Sequence, residues 1–293
     1  MFAQKLAGLV VGAMLLGGAA EAQQIVVGGK NFTEQQILTA MTGQLLQARG
    51  FSIDSRAGMG SAAVRQAMEN GQIDVYWEYT GTSLITYNNV EERLDAEETY
   101  ARVKELDAEK DIVWLDPSEA NNTYGLAMRA ADAEEMEVGT LSELAARMND
   151  GAGLSLASNA EFYARPDGLG PLQEDYGFEF PRADILRMDT GLVYQALRGG
   201  DVDVGVVFAT DGRIPAFDLV VLEDDRGYFP SYALAPVVRT EVLDEHPEIG
   251  EALNELSATL DDETMARLNA RVDVERVSIE NVAAEFLEEQ GLI

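Results

Sequence analysis

Between Ile25 and Trp77 the chain alternates short apolar runs with helical repeats, and glycines punctuate the junctions. Ile25-Val26-Val27-Gly28 reads as a strand. Asn31 then caps a helix, with Glu34 at the capping-box position. Ile37, Leu38, Met41, Leu45 and Leu46 share one helical face, and Gly50 ends it. Phe51-Ser52-Ile53 opens a second strand, Gly58 and Gly60 turn the chain, and Ser61 starts a helix that stops at Gly71. Ile73 to Trp77 is a third strand. This β-α-β-α-β order requires a mostly parallel sheet, since each parallel return needs a crossover. Ligands of such sheets bind beyond the carboxyl ends of the strands, where Lys30 and Tyr79 lie.

The stretch Gln66 to Val75 recurs as Gln195 to Val204, each a helix end, a glycine stop and a strand start. Continued without gaps, the alignment sets Tyr79 against Phe208. Helix–glycine–strand units look alike across α/β proteins, so common ancestry stays open. The geometric expectation holds either way: two similar α/β lobes, each bringing one aromatic to a shared cleft. In the second half, Thr140 and Glu143 form a capping box before the helix Leu141 to Met148. Strands follow at 154–157, 183–186, 204–208 and 219–222, and Ala235 to Arg239 returns to the first lobe. From Pro247 onward the pattern is amphipathic helix, expected to pack on lobe one. The expected division is 23–126 with 231–293 as lobe one and 127–230 as lobe two.

The first residues read as a secretory signal. Lys5 gives a positive start, Leu6 to Ala20 is apolar, and Ala20-Glu21-Ala22 fits a signal peptidase site, so residues 1–22 are expected to be removed. The apolar run is shorter than the ~20 residues of a spanning helix. The chain has no cysteine, which excludes disulfides, thiolate metal sites and a lipid-modified amino-terminal cysteine. A monomeric periplasmic protein without membrane insertion is expected. A net charge of -31 repels nucleic acid and anionic membranes, and the carboxylates spread along the whole chain as a solvated surface. Any cation beside a pocket motif therefore carries weight.

Lys30 precedes a helix start, whose free N–H groups also favour an anion. Arg165 can add a planar fork from the other lobe, and Thr82 offers a hydroxyl. A plainer reading pairs Lys30 and Arg165 with two of the many carboxylates. A methylated ammonium has no N–H to donate, so only ring faces can recognise it, at ~0.5–2 kcal/mol each. Tyr79, Tyr124, Phe208 and Tyr232 each lie at a strand end or lobe crossing, with Trp77 and Tyr194 in reserve. Trp77 lies within its strand and is expected to pack between strand and helix. The one histidine, His246, precedes Pro247 in an acidic stretch, which removes His-dependent triads and multi-His metal sites. No cofactor or metal is expected. A hydrolase built on two carboxylates distant in sequence stays open.

The runs Val27 to Gln35, Asp74 to Thr82, Asn121 to Tyr124, Arg165 to Leu169, Thr210 to Ile214 and Leu222 to Tyr232 resemble the substrate-binding proteins of osmoprotectant ABC importers, for glycine betaine, choline and related quaternary amines. The resemblance covers essentially the whole chain after the signal. It implies a type II periplasmic binding protein fold: two α/β lobes, two crossing strands and closure about a hinge. It also implies no enzymatic step, and delivery of the ligand to an inner-membrane ABC permease. Residue by residue, Tyr79, Tyr124 and Tyr232 match cage tyrosines, and Lys30, Arg165 and Thr82 match the carboxylate group. Phe208 falls where some relatives have Tyr, and Asn122 where some have Asp. Two other readings of the same fold stay open: a sensory receptor signalling to a membrane protein, and an amino-acid receptor with an acid in place of the cage.

Overall fold

The computed structural model describes residues 24–293. The expected signal segment 1–22 lies outside them. Among the described residues ten strands form two five-stranded sheets. β1 (Gln24–Lys30), β2 (Ser52–Met59), β3 (Val75–Tyr79) and β4 (Ile112–Trp114) belong to the first sheet. β5 (Tyr124–Arg129), β6 (Leu156–Ser158), β7 (Ile185–Arg187), β8 (Val204–Phe208) and β9 (Leu219–Val221) make the second. β10 (Leu234–Arg239) returns to the first.

The strand orders are β2-β1-β3-β10-β4 and β7-β6-β8-β5-β9. They superimpose as patterns. In each sheet the fourth strand alone runs against the others: β10 is antiparallel to β3 and β4, and β5 to β8 and β9. Those two reversed strands are the chain's entries into one sheet from the other, and so each lobe is mostly parallel. The sequence echo falls in place, because β3 and β8 hold the same third position and end on Tyr79 and Phe208. The expected boundary at 126/127 falls inside β5, whose first residue is Tyr124.

The first helix, Thr33–Ala48, buries Ile37, Leu38, Met41, Leu45 and Leu46 completely. The carboxyl-terminal helices Asp262–Asp273 and Ile279–Glu289 pack against it. Its start differs from expectation. Phe32, not Asn31, holds the N-cap position, and no side chain caps it. Glu34 cannot serve a capping box because its carboxylate is buried and engaged elsewhere. The box at Thr140 and Glu143 forms as read. Gly58 lies inside β2 with φ +85°, so the strand runs on through the expected turn.

Candidate functional site

The carboxyl ends of β1, β3, β5-facing β8 and the segment before β10 open on one cleft of about 760 Å³. Lys30, Tyr79, Thr82, Asn122, Tyr124, Phe208 and Tyr232 all line it. Lys30 ends β1, and its ammonium lies 2.5 Å from Glu78 of the neighbouring strand. Both side chains are buried. Glu78 also accepts from the Tyr76 hydroxyl at 3.0 Å and the Tyr79 amide at 2.7 Å. Gly29 makes this junction possible: a Cβ there would lie 2.0 Å from Thr39 Oγ1 of the first helix.

Tyr79 ends β3, and its hydroxyl donates to Glu34 at 2.7 Å. Two residues on, Gly81 lets the chain pass Tyr232, since a Cβ would lie 2.7 Å from the Ser231 carbonyl and 3.0 Å from the Tyr232 ring. Thr82 then opens a π-helical segment, Thr82–Tyr87. Such widened turns concentrate at functional sites. Asp107 braces this segment from below, accepting from Ser83 at 2.8 Å and from Arg65 at 2.7 and 2.8 Å.

Tyr124 and Phe208 face each other in the β5/β8 register, with ring centroids 4.8 Å apart. Tyr232 meets Tyr124 edge-on at 5.8 Å. Phe32 closes the arc: it stacks on Phe208 at 5.2 Å and on Tyr79 at 6.2 Å. The four rings named from the sequence are thus joined into one run by a fifth, which that reading quoted in a motif but did not assign. Burial pushes the phenols of Tyr79, Tyr124 and Tyr232 above their ordinary value, so all three are neutral rings.

Arg165 is placed differently from the other six. It is buried behind the rings and does not line the cleft. Its Nε and one terminal nitrogen each donate to Asp167 at 2.7 Å, and its other nitrogen reaches Thr82 at 3.3 Å. Its guanidinium lies 5.2 Å from the Tyr124 centroid and 5.8 Å from that of Tyr232. The Tyr232 hydroxyl donates to Asp167 as well. Lys30 and Arg165 therefore each hold a carboxylate, as the plainer reading had it, but the partners are buried acids within the site. Neither partner was legible, because Glu78 sits in a run of strand residues and Asp167 in a turn.

Glu34 is the second unforeseen element. It accepts from Tyr79, Asn122, Asn269 and, most closely, Thr210. Burial raises its pKa above the ordinary carboxylate value despite these donors. The network joins the first helix to β3, to the first crossing through Asn122, to the turn after β8 through Thr210 and to the helix Asp262–Asp273 through Asn269. Asn122 spends its amide here, donating at 2.8 Å to Glu34. Trp77 packs between β3 and the first helix, donating to Thr42 at 2.9 Å. Tyr194 lies beneath Phe208, accepting from its amide at 2.9 Å, and is outside the cleft lining. His246 packs edge-on against Phe51, also away from the cleft.

The family profile described as the substrate-binding domain of ABC-type glycine betaine transport systems matches residues 23–289. A glycine-betaine-binding protein of Pseudomonas aeruginosa is 47% identical over 97% of this chain and 94% of its own. The glycine betaine-binding protein YehZ of Escherichia coli is 33% identical, over 92% of each chain. A crystal structure described as a glycine betaine/carnitine/choline ABC transporter is 29% identical, with a TM-score of 0.75 over 92% of this chain and 99% of that one.

Proposed function

The chain belongs to the substrate-binding domains of ABC-type glycine betaine transport systems, and from that premise we propose that it captures a betaine in the cleft and delivers it to a permease. The observation that carries the reading is the unbroken run of rings across both sheets. In it Tyr79, Tyr124, Phe208 and Tyr232, with Phe32 between, offer ring faces to a quaternary ammonium. Lys30 and Thr82 form the polar side, Arg165 supports Thr82 from behind, and Glu78 and Asp167 hold the two cations in fixed orientation. Preset geometry lowers the ordering cost of binding. Capture takes place in the periplasm, after removal of the signal segment, by a monomer, and no bond of the ligand is broken.

Calorimetric titration with glycine betaine, choline, carnitine and proline betaine tests the reading. Saturable heat with at least one is expected. Silence with all four would remove it, and turnover of any of them would favour the hydrolase.

A further inference from the structure

A betaine carboxylate that enters a closing cleft loses water, and opposite charge with hydrogen-bond donors must replace it. Lys30 and Arg165 supply little net charge, because each is in contact with a buried carboxylate. The cations that line the cleft are Lys30, Arg187 and Arg213. Arg213 forks onto Asp211 at 2.8 Å and lies 3.3 Å from Asp273. Among the described residues Arg187 is the one cleft-lining cation with no carboxylate within ion-pair distance.

The fold presents Arg187 for use. It is the last residue of β7, paired with Ser158 at the carboxyl end of the second sheet. It is exposed, yet its guanidinium is not adrift: it lies 4.9 Å from the Tyr163 ring centroid. Stacking of this kind orients the plane of the fork while leaving its N–H edge for an acceptor. Tyr163 belongs to the same short helix, Ala160–Ala164, as Phe162, whose ring touches Tyr124 at 4.9 Å, and Arg187 lines the same cleft as Tyr124 and Phe208. The acids that share the cleft do not compete strongly. Glu161 is engaged by Ser61 at 2.8 Å and Arg165 at 3.3 Å, and Asp273 by Thr33 at 2.8 Å. Asp189 follows two residues later at the N-cap of the helix Thr190–Gly199 and makes no ion pair with Arg187.

We propose that Arg187 supplies the net charge that meets the ligand's carboxylate, and so separates zwitterionic betaines from quaternary ammonium alcohols. The inference rests on the betaine reading given above. The test is calorimetry on the full mature chain, comparing parent, Arg187→Gln and Arg187→Lys with glycine betaine and with choline, which carries a hydroxyl where betaine carries its carboxylate. Arg187→Gln should weaken glycine betaine by at least about tenfold while choline changes by less than about threefold, and Arg187→Lys should recover part of the loss. Melting of the three ligand-free proteins should coincide, because Arg187 is exposed. Glycine betaine bound equally by parent and Arg187→Gln overturns the assignment and leaves the betaine reading standing, as does an equal loss for both ligands. A parent that binds neither ligand overturns the Arg187 assignment, and silence with carnitine and proline betaine as well overturns the betaine reading.

Discussion

Removal of one ring should separate binding from stability. The Tyr232 ring is fully buried beside Tyr124, and its hydroxyl serves Asp167. Trp77 is equally buried and equally aromatic, but it faces the first helix. If the cation rests on Tyr232, Tyr232→Ala forfeits one ring contact of about 0.5–2 kcal/mol, which is about two- to thirtyfold in affinity. Tyr232→Phe keeps the ring and loses only the hydroxyl, so its affinity should stay within about threefold of the parent while stability drops by about 1.5–3 kcal/mol, the cost of a lost charge-assisted bond. Trp77→Ala opens a core cavity and should cost about 3–5 kcal/mol of stability. Its affinity, measured well below the melting temperature, should hold within about threefold, since no cleft ring is lost. Titration calorimetry gives the affinities and denaturant melts the stabilities. Equal affinity losses in Tyr232→Ala and Trp77→Ala would refute the placement of the cation, as would a Tyr232→Phe variant as damaged in binding as the alanine.

Phe208→Tyr keeps the ring face that Phe32 and Tyr124 share and should alter glycine betaine affinity by less than about threefold in the same calorimetric assay. Asn122→Asp sets a second carboxylate where an amide now donates to Glu34 at 2.8 Å. The two acids then share one proton. One folded-state pKa rises above its unfolded value, so the variant should be destabilised at neutral pH and regain stability as pH falls through that raised value. Melts across pH check it, and a pH-independent difference from the parent would contradict it. Burial alone would raise the Asp107 carboxyl, yet Arg65, with Asn88 and Trp114, brings it down to about 2 from the ordinary 3.8. A depressed folded pKa stabilises above the unfolded value, so Asp107 should contribute about 2 kcal/mol above pH 3.8 and lose it as pH falls toward 2. Asp107→Asn should therefore be less stable than the parent at neutral pH, with the gap narrowing below pH 3.8 in denaturant melts.

Much of the fold was legible because its signals are local. The glycines at 50, 71 and 200 mark helix ends as the structure shows, whereas β1 runs past Gly28 to Lys30. The equivalence of Tyr79 and Phe208 followed from a ten-residue echo, and both end the third strand of their sheets. What stayed hidden depends on contacts between distant residues. The Lys30 partner lies 48 residues away, and nothing in Glu78 itself distinguishes it from the many surface acids. Glu34 reads as part of a cap at Asn31, but the N-cap is Phe32, and Thr210, Asn122 and Asn269 claim the Glu34 carboxylate from across the fold, so tertiary bonds override the local cap. Phe32 stood in plain view as an N-terminal helix residue, and only the approach of Phe208 at 5.2 Å makes it part of the aromatic run. The π-helical turn at Thr82 has no sequence signature that composition or periodicity could supply.

The charge of the ligand's head is the sharpest probe of the aromatic run. tert-Butylacetate has the shape of glycine betaine, with a quaternary carbon in place of nitrogen, and the same carboxylate. If ring faces grip a cation, its removal forfeits about 0.5–2 kcal/mol per ring, so tert-butylacetate should bind at least tenfold more weakly than glycine betaine. Calorimetric titration of both into the same protein decides it, and equal affinities would mean that the rings provide an apolar hollow and no cation site.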